Sequence, residues 1–141
     1  MCMVFFQQEI EIKPRRRGFH LITAEIARAV PELGKIQVGF LQAFLQHTSA
    51  SLCLNENADP DVRTDFESHF NRAVPESAAY VHTTEGADDM PAHLKSATLG
   101  ASVLIPIRRG RLALGTWQGI YLGEHRDNGG SRRVVVTVFG Q

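Results

Sequence analysis

The sequence predicts an α+β domain: a β-rich, mostly antiparallel sheet packed with two or three helices. Three observations carry this. Strand-like segments both precede and follow the helical ones, the C-terminal third is almost wholly strand-like with short β–β connections, and helical periodicity is confined to brief stretches. With 141 residues the chain is long enough for one sizeable core and short for two, so residues 1–141 are read as a single domain.

The elements follow in order. Residues 4–12 (VFFQQEIEI) end in polar/apolar alternation and read as a first strand, and residues 13–18 (KPRRRG) as a charged turn. Thr23–Val30 reads as a short helix with Thr23 as N-cap and Pro31–Gly34 as its stop. Residues 36–46 are apolar and β-prone, and residues 50–54 form a further strand after a break at His47-Thr48-Ser49. The clearest helix follows: Asp59 caps it, Pro60 fits the first position and Asp61 meets the helix dipole. Val62, Phe66, Phe70 and Ala73/Val74 give that helix one apolar face, and Pro75 ends it. Another helix is expected from Pro91 to Ala97, with Gly100 beyond its C-terminus. Residues 101–107, 111–122 and 132–139 complete the β structure, joined by turns at 108–110 and 127–130.

Composition excludes several classes. No apolar run approaches the ~18 residues that span a bilayer, and the N-terminus lacks the basic start and small-residue cleavage site of a signal peptide. Two cysteines are too few for a disulfide framework or a four-thiolate zinc site, so a reducing, cytoplasmic setting is expected. Lys+Arg and Asp+Glu number 15 each, which argues against a general nucleic-acid or membrane-surface binder. The balance is uneven, however. Residues 56–89 hold nine acids against Arg63 and Arg72, and nine of the twelve arginines fall in three groups elsewhere: 15–17, 108/109/111 and 126/132/133.

Four of the six histidines, His47, His82, His93 and His125, lie in loops or at element ends. Imidazole serves both as a zinc ligand and as an acid/base near neutrality, but no local metal motif is present, so any cluster must be assembled by the fold. Asp88 and Asp89 precede the second long helix, either as plain capping residues or as a carboxylate pair that binds a cation and orients His93. The last arginine group flanks Gly129-Gly130-Ser131, where backbone N–H groups beside guanidinium forks suit a phosphate or pyrophosphate. Gly115-Thr116-Trp117-Gln118-Gly119 interrupts a strand with glycines around the single tryptophan, as at a bulge or a close approach. Thr48-Ser49 beside His47 offers a hydroxyl next to a base, without the elbow motif of a serine hydrolase.

Together, the runs HTSAS (47–51), NENADP (55–60), EGADDMPAHLKS (85–96), GTWQGI (115–120), Tyr80-x-His82, GEHR (123–126) and GGSRR (129–133) resemble the YjbQ family in the expected order, from about residue 8 to the end. The resemblance implies a compact α+β homotrimer with a histidine-centred metal or anion site near subunit boundaries. Carried onto this chain, the motif places His47, His82 and His93 with Asp89 at a divalent metal, zinc or magnesium, and Glu124 beside them as a catalytic carboxylate. Ser49, Lys95, Trp117, Arg126, Arg132 and Arg133 are then the candidates for binding an anionic substrate, with Trp117 an aromatic wall; His125 is held in reserve. The activity implied is a weak thiamine-phosphate synthase reaction, joining a hydroxymethylpyrimidine diphosphate to a thiazole phosphate with release of pyrophosphate. A metal-dependent hydrolase of a small phosphorylated metabolite and a non-catalytic metabolite-binding protein are the alternatives.

Overall fold

The computed structural model describes residues 2–141. In chain order the strands are β1 (Val4–Ile12), β2 (Gly18–Leu21), β3 (Val38–Leu45), β4 (Ala50–Glu56), β5 (Ser102–Arg108), β6 (Arg111–Leu112), β7 (Gln118–Glu124) and β8 (Arg132–Gly140). The α-helices are α1 (Thr23–Ala29), α2 (Pro60–Ala73) and α3 (Asp89–Leu99), with a 3₁₀ turn at Pro31–Lys35. Two antiparallel sheets result, one five-stranded in the order β1-β8-β3-β5-β6 and one three-stranded in the order β2-β7-β4.

Strict alternation builds the core between the sheets. Val134, Val136 and Val138 on β8, Leu41, Ala43 and Leu45 on β3, and Val103, Ile105 and Ile107 on β5 all point inward. Leu52, Ile120 and Leu122 meet them from the small sheet, while Ile22, Ile26 and Val30 around α1 fill one end. The reverse face of the small sheet carries the longer helices. There Phe19 packs against Phe66 and Phe70 of α2 at ring separations of 5.4 and 5.9 Å.

Several sequence expectations shift. Thr23 does not cap α1; its hydroxyl accepts the Ile120 N–H at 2.9 Å and ties the helix to β7, and the N-cap position belongs to Ile22. The stop at Pro31 continues as a 3₁₀ turn. Residues 111–122 are two strands, because the Gly115–Trp117 turn separates them. A short strand, β2 at Gly18–Leu21, is added between the charged turn and α1. The helix α3 begins at Asp89, so Pro91 lies inside its first turn, where a missing N–H costs no hydrogen bond. The apolar face of α2 is only half-buried. Asp59 does cap α2, its carboxylate accepting the Asp61 N–H at 2.9 Å, and Gly100 closes α3 at φ 103°.

The register fixes where chemistry can gather. Ile12 pairs with Arg132, Leu45 with Val134, and both Gly18 and Ala50 with Glu124. One end of the sandwich therefore collects the end of β7, the start of β8, the β3–β4 loop and, above the small sheet, the start of α3. No helix among the described residues is long and apolar enough to cross a membrane.

Candidate metal and anion site

The α3 start supplies the centre. Asp89 and His93 are four residues apart, hence on one helix face. His82 reaches the same place from the loop before the helix. The Asp89 Oδ2 atom lies 2.8 Å from His82 Nε2 and 3.2 Å from His93 Nε2. One potential ligand atom from each of the three residues falls within 4.8 Å of the others.

The orientation of each group has a cause. His93 Nδ1 donates to the Thr48 carbonyl at 2.7 Å, so in the neutral ring Nε2 carries the lone pair and faces the carboxylate. Asp89 is 1% exposed, and its other oxygen accepts from Arg126 Nη1 at 2.7 Å. Burial pushes the Asp89 carboxyl up, but the His82 hydrogen bond, the charge His93 carries when protonated and the charge of Arg126 outweigh it and hold the group below its ordinary value. A lone-pair nitrogen and a carboxylate oxygen facing one another need a proton or a cation between them. Two imidazole nitrogens and one carboxylate oxygen fit zinc or a similar transition ion better than magnesium, which favours all-oxygen sets. The carbonyl-to-histidine bond at Thr48 is the outer partner such a ligand normally has.

Clefts open on either side. One of about 420 Å³ is lined by His47, Thr48, His93 and Ser96 among others; another of about 330 Å³ includes Tyr80, His82 and Met90.

The remaining sequence candidates occupy distinct places. His47 stands outside the three-residue group, its Nε2 accepting the Arg133 backbone N–H at 2.8 Å. Glu124 is fully buried, and its carboxylate is engaged by Arg132 Nε at 2.7 Å and Nη2 at 2.6 Å. Ser49 contributes its carbonyl, which accepts from Arg132 Nη2 at 3.2 Å. Arg126 is held by Asp88 Oδ2 at 3.0 Å, by Asp89 and by the Glu85 carbonyl at 2.8 Å, so it orients carboxylates and has little left to offer a ligand. The Arg133 side chain points to the outer face of the large sheet, in a shallow cleft with Glu9 and Glu11.

Lys95 and Trp117 lie apart from the centre. Two residues past His93 is about 200° around the helix, so Lys95 points toward α2, fully buried, with Nζ donating to Asn71 Oδ1 at 2.7 Å. Burial and then Arg17 lower its pKa, against Glu67, Glu76 and Asp127. Trp117 is 64% exposed just before β7 begins, about 23 Å along the strand from Glu124 at ~3.3 Å per residue.

Sequence reasoning missed the Thr48 carbonyl and the Arg126–Asp89 bond, because neither backbone acceptors nor pairings between distant segments leave a signal in one sequence. His125, held in reserve, is buried with its Nε2 2.8 Å from Ser51 Oγ and its Nδ1 without a partner among the described residues.

Comparison with known proteins agrees with the motif pattern. A family model described as UPF0047 protein YjbQ-like matches residues 8–141. A UPF0047 protein YjbQ from Salmonella typhimurium is 54% identical over 138 residues, covering 98% of this chain and 100% of the relative. The Escherichia coli O157:H7 protein of that name is 50% identical over the same shares. Among solved structures, a YbjQ-like protein from Sulfolobus solfataricus P2 superposes with a TM-score of 0.88 at 26% identity, covering 99% of this chain and 100% of its own. A YjbQ/UPF0047 protein from Clostridium acetobutylicum gives 0.83 at 36% identity, covering 93% and 98%. Matched along nearly its whole length in both sequence and fold, the chain belongs to the YjbQ-like UPF0047 family.

Proposed function

We propose that this protein is a divalent-metal-dependent enzyme acting on a small phosphorylated metabolite, with His82, Asp89 and His93 as the protein ligands. The observation that supports it is the His93 arrangement: Nδ1–H is fixed on the Thr48 carbonyl while Nε2 and His82 Nε2 converge on one Asp89 oxygen. His82 and His93 are partly open to solvent, with side chains 45% and 30% exposed, which leaves room for a substrate oxygen or water at the same centre. A bound cation would supply charge stabilisation to a departing phosphate or diphosphate. The chain's own residues do the positioning: Arg126 fixes the carboxylate, Thr48 fixes the imidazole, and the flanking clefts receive the organic part.

Thiamine-phosphate synthase-type transfer, with pyrophosphate as leaving group, is the first reaction to assay, and hydrolysis of a phosphorylated metabolite is the second. The two free cysteines suit a cytoplasmic setting. Assembly with other copies is supported by the outer face of the large sheet, where Phe5, Val38, Phe40, Phe44 and Leu104 are all 40% exposed or more; three copies is the number the family resemblance implies.

The test is zinc binding by calorimetry, followed by activity. Wild type is expected to bind about one zinc per chain, and Asp89→Asn to lose at least tenfold in affinity while melting within a few degrees of wild type. Equal affinity in the two proteins overturns the assignment. Zinc-loaded protein that neither forms thiamine phosphate nor hydrolyses a panel of phosphorylated metabolites leaves a metal-dependent binding protein.

A further inference from the structure

His47 and Arg132 present two donors to each other. The Arg133 amide donates to His47 Nε2 at 2.8 Å, so in a neutral ring the proton must sit on Nδ1. Yet Nδ1 faces Arg132 Nη1 at 3.4 Å, and a guanidinium nitrogen is also purely a donor.

Arg132 cannot relieve this by turning. It is 4% exposed; Nε and Nη2 grip Glu124, and Nη2 also reaches the Ser49 carbonyl. Nη1 meets no carboxylate or carbonyl oxygen among the described residues. A buried guanidinium nitrogen and a ring N–H thus converge with no acceptor between them, and His47 also lines the cleft that His93 lines.

We propose that His47 Nδ1–H and Arg132 Nη1 form a seat for one phosphoryl oxygen, the anion subsite of the cleft beside His93. A phosphoryl oxygen has lone pairs for both donors, and the guanidinium offers it charge as well as direction. Glu124 already balances much of the Arg132 charge, so the seat recognises by placed N–H groups and binds free phosphate weakly. The assignment of that oxygen to a substrate rests on the function proposed above; the seat itself requires no metal.

The experiment uses full-length ¹⁵N-labelled protein in chelator, with inorganic phosphate as the probe. Imidazole ¹H–¹⁵N spectra are expected to show His47 protonated on Nδ1, and phosphate to move that nitrogen with saturation. His47→Phe is expected to weaken phosphate binding about tenfold, one directed charge-assisted bond, with folding checked by its amide spectrum. Asp89→Asn is expected to keep the full phosphate response, which separates this seat from the metal group. A proton on Nε2, a His47 ring indifferent to phosphate, unchanged binding in His47→Phe, or a response lost in Asp89→Asn would each overturn the proposal.

Discussion

Arg132 and Glu124 close one end of the inter-sheet core as a bidentate pair, Nε to Oε1 at 2.7 Å and Nη2 to Oε2 at 2.6 Å, with side chains 5% and 0% exposed. The pair sits where β7 ends and β8 begins, so it also anchors the intervening loop. Gly129 of that loop passes directly over it: a Cβ there would come within 2.5 Å of Glu124 Oε1 and 2.6 Å of Arg132 Nη2. Any side chain at 129 would have to push the tips of this buried pair aside.

Removing one partner should be costly. Glu124→Gln leaves a buried guanidinium without its counter-charge, and a loss of about 3–5 kcal/mol is expected from urea unfolding. Replacing both residues by apolar ones, Glu124→Leu with Arg132→Met, should recover part of that loss, since neither charge then remains buried. A single-variant loss below about 1 kcal/mol would mean that water reaches the pair.

Buried His125 sets an acid limit on stability. Burial, then Lys95, Arg132 and Arg17, lower its pKa from 6.5 to about 3. The unfolded chain takes up this proton near pH 6.5 while the folded chain refuses it until about pH 3. Stability therefore falls as pH drops through that window, by at most about 1.4 kcal/mol per unit for this one group. His125→Asn is expected to be less stable than wild type near neutrality, through the lost Ser51 contact and packing. The gap between the two proteins should narrow from about pH 7 to about pH 4.5 in urea midpoints. A constant gap would show that His125 titrates alike in both states.

Arg126 acts through Asp89. Its Nη1 holds one carboxylate oxygen at 2.7 Å and leaves the other to the two histidines. Arg126→Gln should weaken zinc binding about 10- to 100-fold, as loss of an outer partner does. Arg126→Lys restores charge without the fork, so it should recover little. Full recovery by lysine would reduce the role of Arg126 to local charge.

How much of this was legible in the sequence depended on whether the cause was local. Asp59 and Pro60 announced the start of α2, and ASVLIPI announced β5, because capping and period-2 alternation are written in neighbouring residues. Thr23 misled for the opposite reason. Its hydroxyl serves a strand nearly a hundred positions later, a tertiary partner that outweighs the local cap. In the site, histidines and acids could be nominated by type, yet their grouping follows from strand register and from which face of α3 each residue occupies. Lys95 lies two residues from His93 in sequence and on the other side of the helix in space. Arg126 and Arg132 read as anion binders from composition, while the fold first gives each a carboxylate.

The outer face of the five-stranded sheet gives the final prediction. Register aligns Phe5 with Phe139, Phe139 with Phe40 and Phe40 with Pro106, with Leu104 opposite Gln42 on the next step. The row and the apolar positions beside it face solvent: Phe5 is 72% exposed and Phe40 40% within the row, Leu104 56% and Phe44 46% next to it. A contiguous apolar stripe on a sheet whose other side is a complete core marks a protein-contact surface. Leu104→Lys puts a charge on the flank of the stripe, beside Pro106 and opposite Gln42, at a position already open in the single chain, so the monomer's own stability should change by no more than about 0.5 kcal/mol. Light scattering is expected to report three times the 15.6 kDa chain mass for wild type and a shift toward the single-chain mass for the variant. If Leu104→Lys keeps the wild-type mass, assembly uses another surface; if wild type itself runs as a single chain, the trimer is wrong and the stripe awaits a different protein partner.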